Sequence, residues 1–142
     1  MTGKGFQKPS GLGVSKTEVL KSVEEIKEFL EQKGSHVSGQ ARTFHKTADE
    51  ALTVELIGNE ANLFSVGAVA VMVESDPISM VHATALLLRL LQICIPQWKD
   101  SDKWLETAAQ KAARQPYKIE KQGKTITLSI PSPGVFLLGI ES

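Results

Sequence analysis

The sequence predicts an α+β domain built on an antiparallel sheet of five to six strands, in the order α-βββ-αα-βββ. Three observations carry this. The apolar period is that of a helix from Val14 to Gly34, then changes to two between Gln40 and Val73. A long apolar run from Ile78 to Ile95 follows, and two alternating segments around Gln122-Gly123 close the chain with a third after Pro133-Gly134.

Each element has its own signal. Ser15 followed by Glu18 forms a capping box, with Val14 and Val19 at the staple positions. Leu20, Val23, Ile26 and Leu30 then recur at helical spacing, so a helix is expected to run until Gly34 stops it. Arg42 to Lys46 reads as a short strand. Leu52, Val54 and Leu56 alternate with Thr53 and Glu55 in a second, and Phe64 to Val73, with its small residues Gly67, Ala68 and Ala70, reads as a third with something packed closely on one face.

Asp76-Pro77 starts the next helix, with Asp as N-cap and Pro in the first turn, and Pro96 ends it. On a helical wheel only an arc with Ser79, His82, Arg89 and Gln92 is polar, so the other two-thirds are expected to be covered by the sheet and a second helix. That second helix is read from Ser101 to Gln115, with Trp104, Leu105, Ala108 and Ala112 inward. Tyr117 to Lys121 and Thr125 to Ile130 pair through a Gln122-Gly123 turn, and Val135 to Ile140 is the last strand. Met1 to Gly13, rich in Gly and Lys and without periodicity, is expected to be a flexible leader to a single domain over 14–142.

Composition narrows the function classes. Sixteen basic residues balance sixteen acidic ones, which argues against a nucleic-acid or membrane-surface binder. The signs are uneven along the chain: Asp49 to Leu88 holds six acidic residues and no Lys or Arg, whereas Lys99 to Lys124 holds seven basic and four acidic. Folding that interleaves the two is the ordinary explanation, and a steering patch the sharper one. Cys94 is the single cysteine, so no internal disulfide is possible, and no signal-peptide pattern opens the chain; a cytoplasmic location is expected.

No motif carries chemistry. Gly123-Lys124-Thr125 lacks the upstream glycine of a phosphate loop and lies between strands; Gly11-Leu12-Gly13 lacks a preceding strand and a third glycine. His36, His45 and His82 are too far apart for a metal site by spacing, and no cofactor is expected. Cys94, among Leu91, Ile93 and Ile95, reads as a core residue. The candidates for a ligand or partner are therefore His82 and Arg89, which share a face two turns apart, together with His45 and Trp98; the catalytic residues, if any, are unknown. For Arg89 the competing explanation is a stem that snorkels to water, and for Trp98 and Trp104 a core anchor at a helix corner.

The leader Gly3-Lys4-Gly5-Phe6-Gln7-Lys8-Pro9 resembles the Gly-Phe-Gly-Lys-Pro opening of small uncharacterised cyanobacterial proteins, with Gln7 in place of glycine. It implies no function. The element order is similar to that of type III secretion chaperones, which close on a helix where this chain closes on a strand; the likeness concerns fold alone. The expectation is a non-catalytic binding or protein-interaction module that engages another protein or a second copy of itself. The alternatives are an enzyme assembled from distant residues, such as Glu55 or His45 near Arg89, and a nucleic-acid binder acting through the leader and Lys99 to Lys124.

Overall fold

The structure, a computed structural model, describes residues 11–142. Its first described residues are seated on the sheet. Leu12 is buried, its N–H donates to the Leu63 carbonyl at 2.7 Å, and the Gly13 N–H donates to Asn62 Oδ1 at 2.8 Å. The end of the expected leader, from Gly11 on, is thus part of the domain, while the rest of it lies outside the described residues.

Helix α1 (Lys16–Val23) begins as read: the Glu18 N–H donates to Ser15 Oγ at 3.1 Å and the Ser15 N–H to the Glu18 carboxylate at 2.9 Å. It ends eleven residues earlier than its periodicity suggests, at Val23 rather than Gly34. The remainder turns back and supplies strand β1 (Leu30–Lys33), paired antiparallel with β2 (Arg42–Lys46), Leu30 opposite Lys46 and Lys33 opposite Thr43. All four β1 residues are exposed, so the strand gains ladder hydrogen bonds and buries no side chain that alternation could reveal.

The chain continues through β3 (Leu52–Asn59), β4 (Asn62–Val71), α2 (Pro77–Cys94), α3 (Ser101–Lys111), β5 (Tyr117–Lys121), β6 (Lys124–Ser132) and β7 (Val135–Glu141). Among the described residues the sheet has seven strands rather than five or six, all antiparallel, in the order β1-β2-β3-β4-β7-β6-β5. It consists of two meanders joined where β4 meets β7, with Val66 opposite Ile140 and Ala68 opposite Leu138. α3 stops at Lys111, short of the expected Gln115, yet its inner stripe of Trp104, Leu105, Ala108 and Ala112 is buried as read.

One face of the sheet makes the core. Leu52, Val54 and Leu56 of β3, Val66, Ala68 and Ala70 of β4, Ile126 and Leu128 of β6, and Leu138 and Ile140 of β7 are buried there. α2 lies over β4 and β7, with α1 and α3 packed beside it and α3 reaching β6. Alanines at 68 and 70 leave room for the leucines of α2 to approach the sheet. Gly58 sits at the register shift between β3 and β4 with φ +118°, and a Cβ there would meet the Phe64 nitrogen at 2.6 Å. The β5–β6 turn has both Gln122 (φ 55°) and Gly123 (φ 76°) in the left-handed region, the signature of a type I′ hairpin.

Two outcomes follow. Nothing lies within 4 Å of a Cβ built on Gly123, so Gly123→Val strains the backbone alone; it should lower stability by about 1–2 kcal/mol in urea titration, while Gln122→Asn should be neutral or stabilising. Leu87, fully enclosed, should lose about 2–5 kcal/mol on replacement by Ala, against about 1 kcal/mol for Arg89→Ala on the half-exposed side of the same helix; equal losses would overturn the assignment of the two faces.

Candidate functional site

α2 carries the candidate site on the side that the core does not use. Its start is fixed by Asp76, whose carboxylate accepts from the N–H groups of Ile78 at 3.1 Å and Ser79 at 3.4 Å, and by Ser79 Oγ, which accepts from the Val73 N–H at 2.9 Å. Ala83, Leu86, Leu87, Leu90, Leu91 and Cys94 then face the core. The expectation that the whole apolar two-thirds of the helix is covered does not hold: Ile78 is 65% exposed, Val81 66% and Met80 40%, and Val73 at the exit of β4 is 47% exposed. α1 and α3 pack beside α2 rather than across this surface.

Next to the exposed stripe runs an apolar groove of about 450 Å³ between α2 and α3, floored by Met72, Leu87, Leu105 and Phe136 and edged by Asp102, Lys103 and Glu106. It shares Thr84 and Leu88 with a shallower recess of about 410 Å³ that includes Met80, Val81 and Ala85. It shares Met72 and Phe136 with a third of about 440 Å³ under the β6–β7 turn, where Glu74 and Pro133 contribute. The ionisable groups that line these depressions, Asp102, Lys103, Glu106 and Glu74, are charged side chains of α3 and of the β4–α2 connection. Such a lining favours apolar contact, and its two methionines adapt to differing partners.

The four residues singled out from sequence are not brought together. Arg89 Nη1 donates to the Ser22 carbonyl at 2.9 Å and reaches the Glu25 carboxylate at 3.4 Å, so it ties α2 to the end of α1. His82 is half-buried in the same arc. His45 is buried on β2, its Nε2 3.0 Å from Thr43 Oγ1 and opposite Glu31 of β1. Trp98 packs against Trp104 at a tilt of 51° with ring centroids 5.5 Å apart, Trp104 stacks in turn on Tyr117 at 6.0 Å, and Lys121 lies 5.7 Å over Trp98. That aromatic column anchors the corner between α2 and α3.

The grouping of Glu55 with Arg89 considered for an enzyme is not realised. Val54 and Leu56 face the helices, so Glu55 between them faces the opposite side of the sheet, where its carboxylate pairs with Arg42 Nη1 at 3.4 Å. That outer face has a depression of about 390 Å³ over the paired Gly67 and Gly139, flanked by Phe44, Ile57, Val69 and Leu137. Cys94 is buried, and burial pushes its thiol up to about 12, so it is no nucleophile at neutral pH. Among the described residues no three of the His, Cys, Asp and Glu side chains are grouped to hold a metal ion.

Burial lowers the pKa of His45 below the ordinary imidazole value of 6.5, with Glu31 opposing and Lys16 reinforcing the shift. The unfolded chain therefore takes up this proton first, and stability falls as pH drops below 6.5. Asp49, held low by the Thr47 hydroxyl, Lys27 and the Ala51 N–H, acts only below the ordinary carboxylate value of 3.8. Urea midpoints at about pH 7.5 and about pH 5.5 should thus differ more in the parent than in His45→Gln; an unchanged difference would show that His45 takes up its proton as readily in the folded state as in the unfolded one.

The groove was out of reach of sequence reasoning because Met72, Leu88, Asp102 and Phe136 meet only through the fold; the usable hint was a helix apolar on nearly every side with a single helix following it. No family model matches the sequence, and no curated protein and no solved structure matches it.

Proposed function

We propose that this chain is a non-catalytic protein-interaction module that binds through the exposed face of α2 and the groove beside it. The observation that carries this is the exposure of Ile78 and Val81 at about two-thirds of their surface, on a helix that contributes most of its other side to the core. A helix apolar all round is ordinarily enclosed, and exposed apolar patches rimmed by charge mark contact surfaces. The rim of Asp102, Lys103, Glu106 and Glu74 fits that anatomy, an apolar centre within a polar border. A cytoplasmic location, expected from the single cysteine of the sequence, belongs to the same proposal.

The enzymatic alternative lacks comparable support, since Glu55 and Arg89 lie on opposite sides of the sheet and His45 is enclosed away from the groove. Within the Lys99 to Lys124 segment considered for nucleic acid, Lys111 lies over Tyr117 and Lys121 over Trp98.

Capture from the protein's own lysate, with the parent and Val81→Glu as baits, tests the reading. The parent should retain a stoichiometric partner, or another copy of itself, that the variant loses. Equal recovery by both baits would overturn the assignment of this face.

A further inference from the structure

The face of the sheet turned away from the helices has a gap in its cover. Its residues align in rows across the strands, and one row reads Phe44, Glu55, Gly67, Gly139 and Thr127 from β2 to β6. The two glycines are direct partners on adjacent inner strands. Neither is required by the backbone or by packing on the chain itself: both are absent from the positive-φ residues, and a Cβ on Gly139 would meet nothing within 4 Å. Glycine inside a strand weakens it and marks a place where another group approaches closely. An aromatic side chain on the next strand can cover such a glycine, but the cross-strand neighbours here are Glu55 and Thr127. The depression of about 390 Å³ over the pair is room that the described residues leave open.

Polar groups are set into this room. Arg42 Nη1 holds Glu55 Oε2 at 3.4 Å, which leaves Oε1 above Gly67, 3.5 Å from where a Cβ would stand. Ser65, only 9% exposed, lines the same depression, and no side-chain hydrogen bond among the described residues uses its hydroxyl. Both ionisable groups of the lining, Glu55 and Glu141, are acidic. The neighbouring cations Arg42 and Lys46 lie over the Phe44 ring instead, at 5.0 Å and 6.0 Å.

We propose that this depression binds a small arylalkylamine, with its aromatic ring on Gly139 and its ammonium group against Glu55 Oε1. Val69 and Leu137 form the apolar wall beside the ring, and the bare glycine backbone gives it a flat floor. Paired strands lie about 4.8 Å apart, a step that a two-carbon arm spans, so a ring over Gly139 places its amine above Gly67. The Ser65 hydroxyl, next along the same face of β4, is the second acceptor. An anion of the same shape would face two carboxylates. This site lies on the opposite side of the sheet from α2 and does not depend on the contact surface there.

Tryptamine is the probe, followed by amide NMR up to about 10 mM, because a ligand of this size on an open site binds near millimolar. It should saturably shift the Gly67 and Gly139 signals, and indole-3-propionate, the same ring with a carboxylate, should bind at least about tenfold more weakly. Gly139→Val fills the room without strain; its urea midpoint should be no lower than the parent's, and the tryptamine shifts should vanish. Glu55→Gln should bring the two ligands to similar affinity. The comparison of ligands on the parent holds whether or not either variant folds. No saturable shift at the two glycines, equal binding of both ligands by the parent, or full binding by a folded Gly139→Val overturns the proposal. Phe6→Ala in the full chain should bind tryptamine as the parent does; tighter binding would make the chain's own ring the occupant and overturn it as well.

Discussion

The approach of α2 to the junction of β4 with β7 is the contact on which the rest of the domain depends. β4 belongs to the first meander and β7 to the second, and the helix that lies across both also packs against both flanking helices. Ala68 and Ala70 keep the β4 surface low, so that Leu86, Leu87, Leu90 and Leu91 can pack against it with no exposed area to speak of. Larger residues at these positions would push the helix outward and loosen α1 and α3 together, since both take their position from α2.

Those same leucines explain how the apolar surface of α2 divides. A helix can give a little more than half of its circumference to a flat sheet with two neighbours beside it, and the remaining arc faces solvent unless another layer is added. This chain places polar residues on only part of that arc, at His82, Arg89 and Gln92. The result is a continuous apolar strip from Val73 through Ile78 and Val81 to the methionine-lined groove, bordered by side chains of α3.

Elements with a burial pattern were legible in the sequence, and those without one were not. The capping box at Ser15, the Asp76-Pro77 start, the hairpin at Gln122-Gly123 and the enclosed leucines of α2 all announce themselves because each satisfies a local rule. Strand β1 does not. Glu31, Gln32 and Lys33 are good helix formers, they follow a helical period, and the strand they form is exposed throughout, so only its pairing with β2 decides its state. For the site the limit is different in kind. Periodicity identified which residues of α2 are apolar, but whether a second layer covers them depends on where α1 and α3 come to rest, and Phe136 joins Met72 only through the pairing of β7 with β4. The polar pair His82 and Arg89 drew attention for its contrast with its surroundings, and Arg89 proves to be a tie between two helices.

The position of β7 has a consequence for how the protein is made. It is the seventh of the described strands in chain order, yet it occupies an inner place in the sheet, pairing residues 74 positions apart where Ile140 meets Val66. Until it arrives, β4 is an open edge and α2 has half a floor, so a nascent chain complete through α3 exposes an unpaired strand beside a strongly apolar helix. The interval between synthesis of β4 and synthesis of β7 is therefore the stage at which this chain most needs protection from aggregation, and shielding by a ribosome-bound chaperone would matter there more than at any later time.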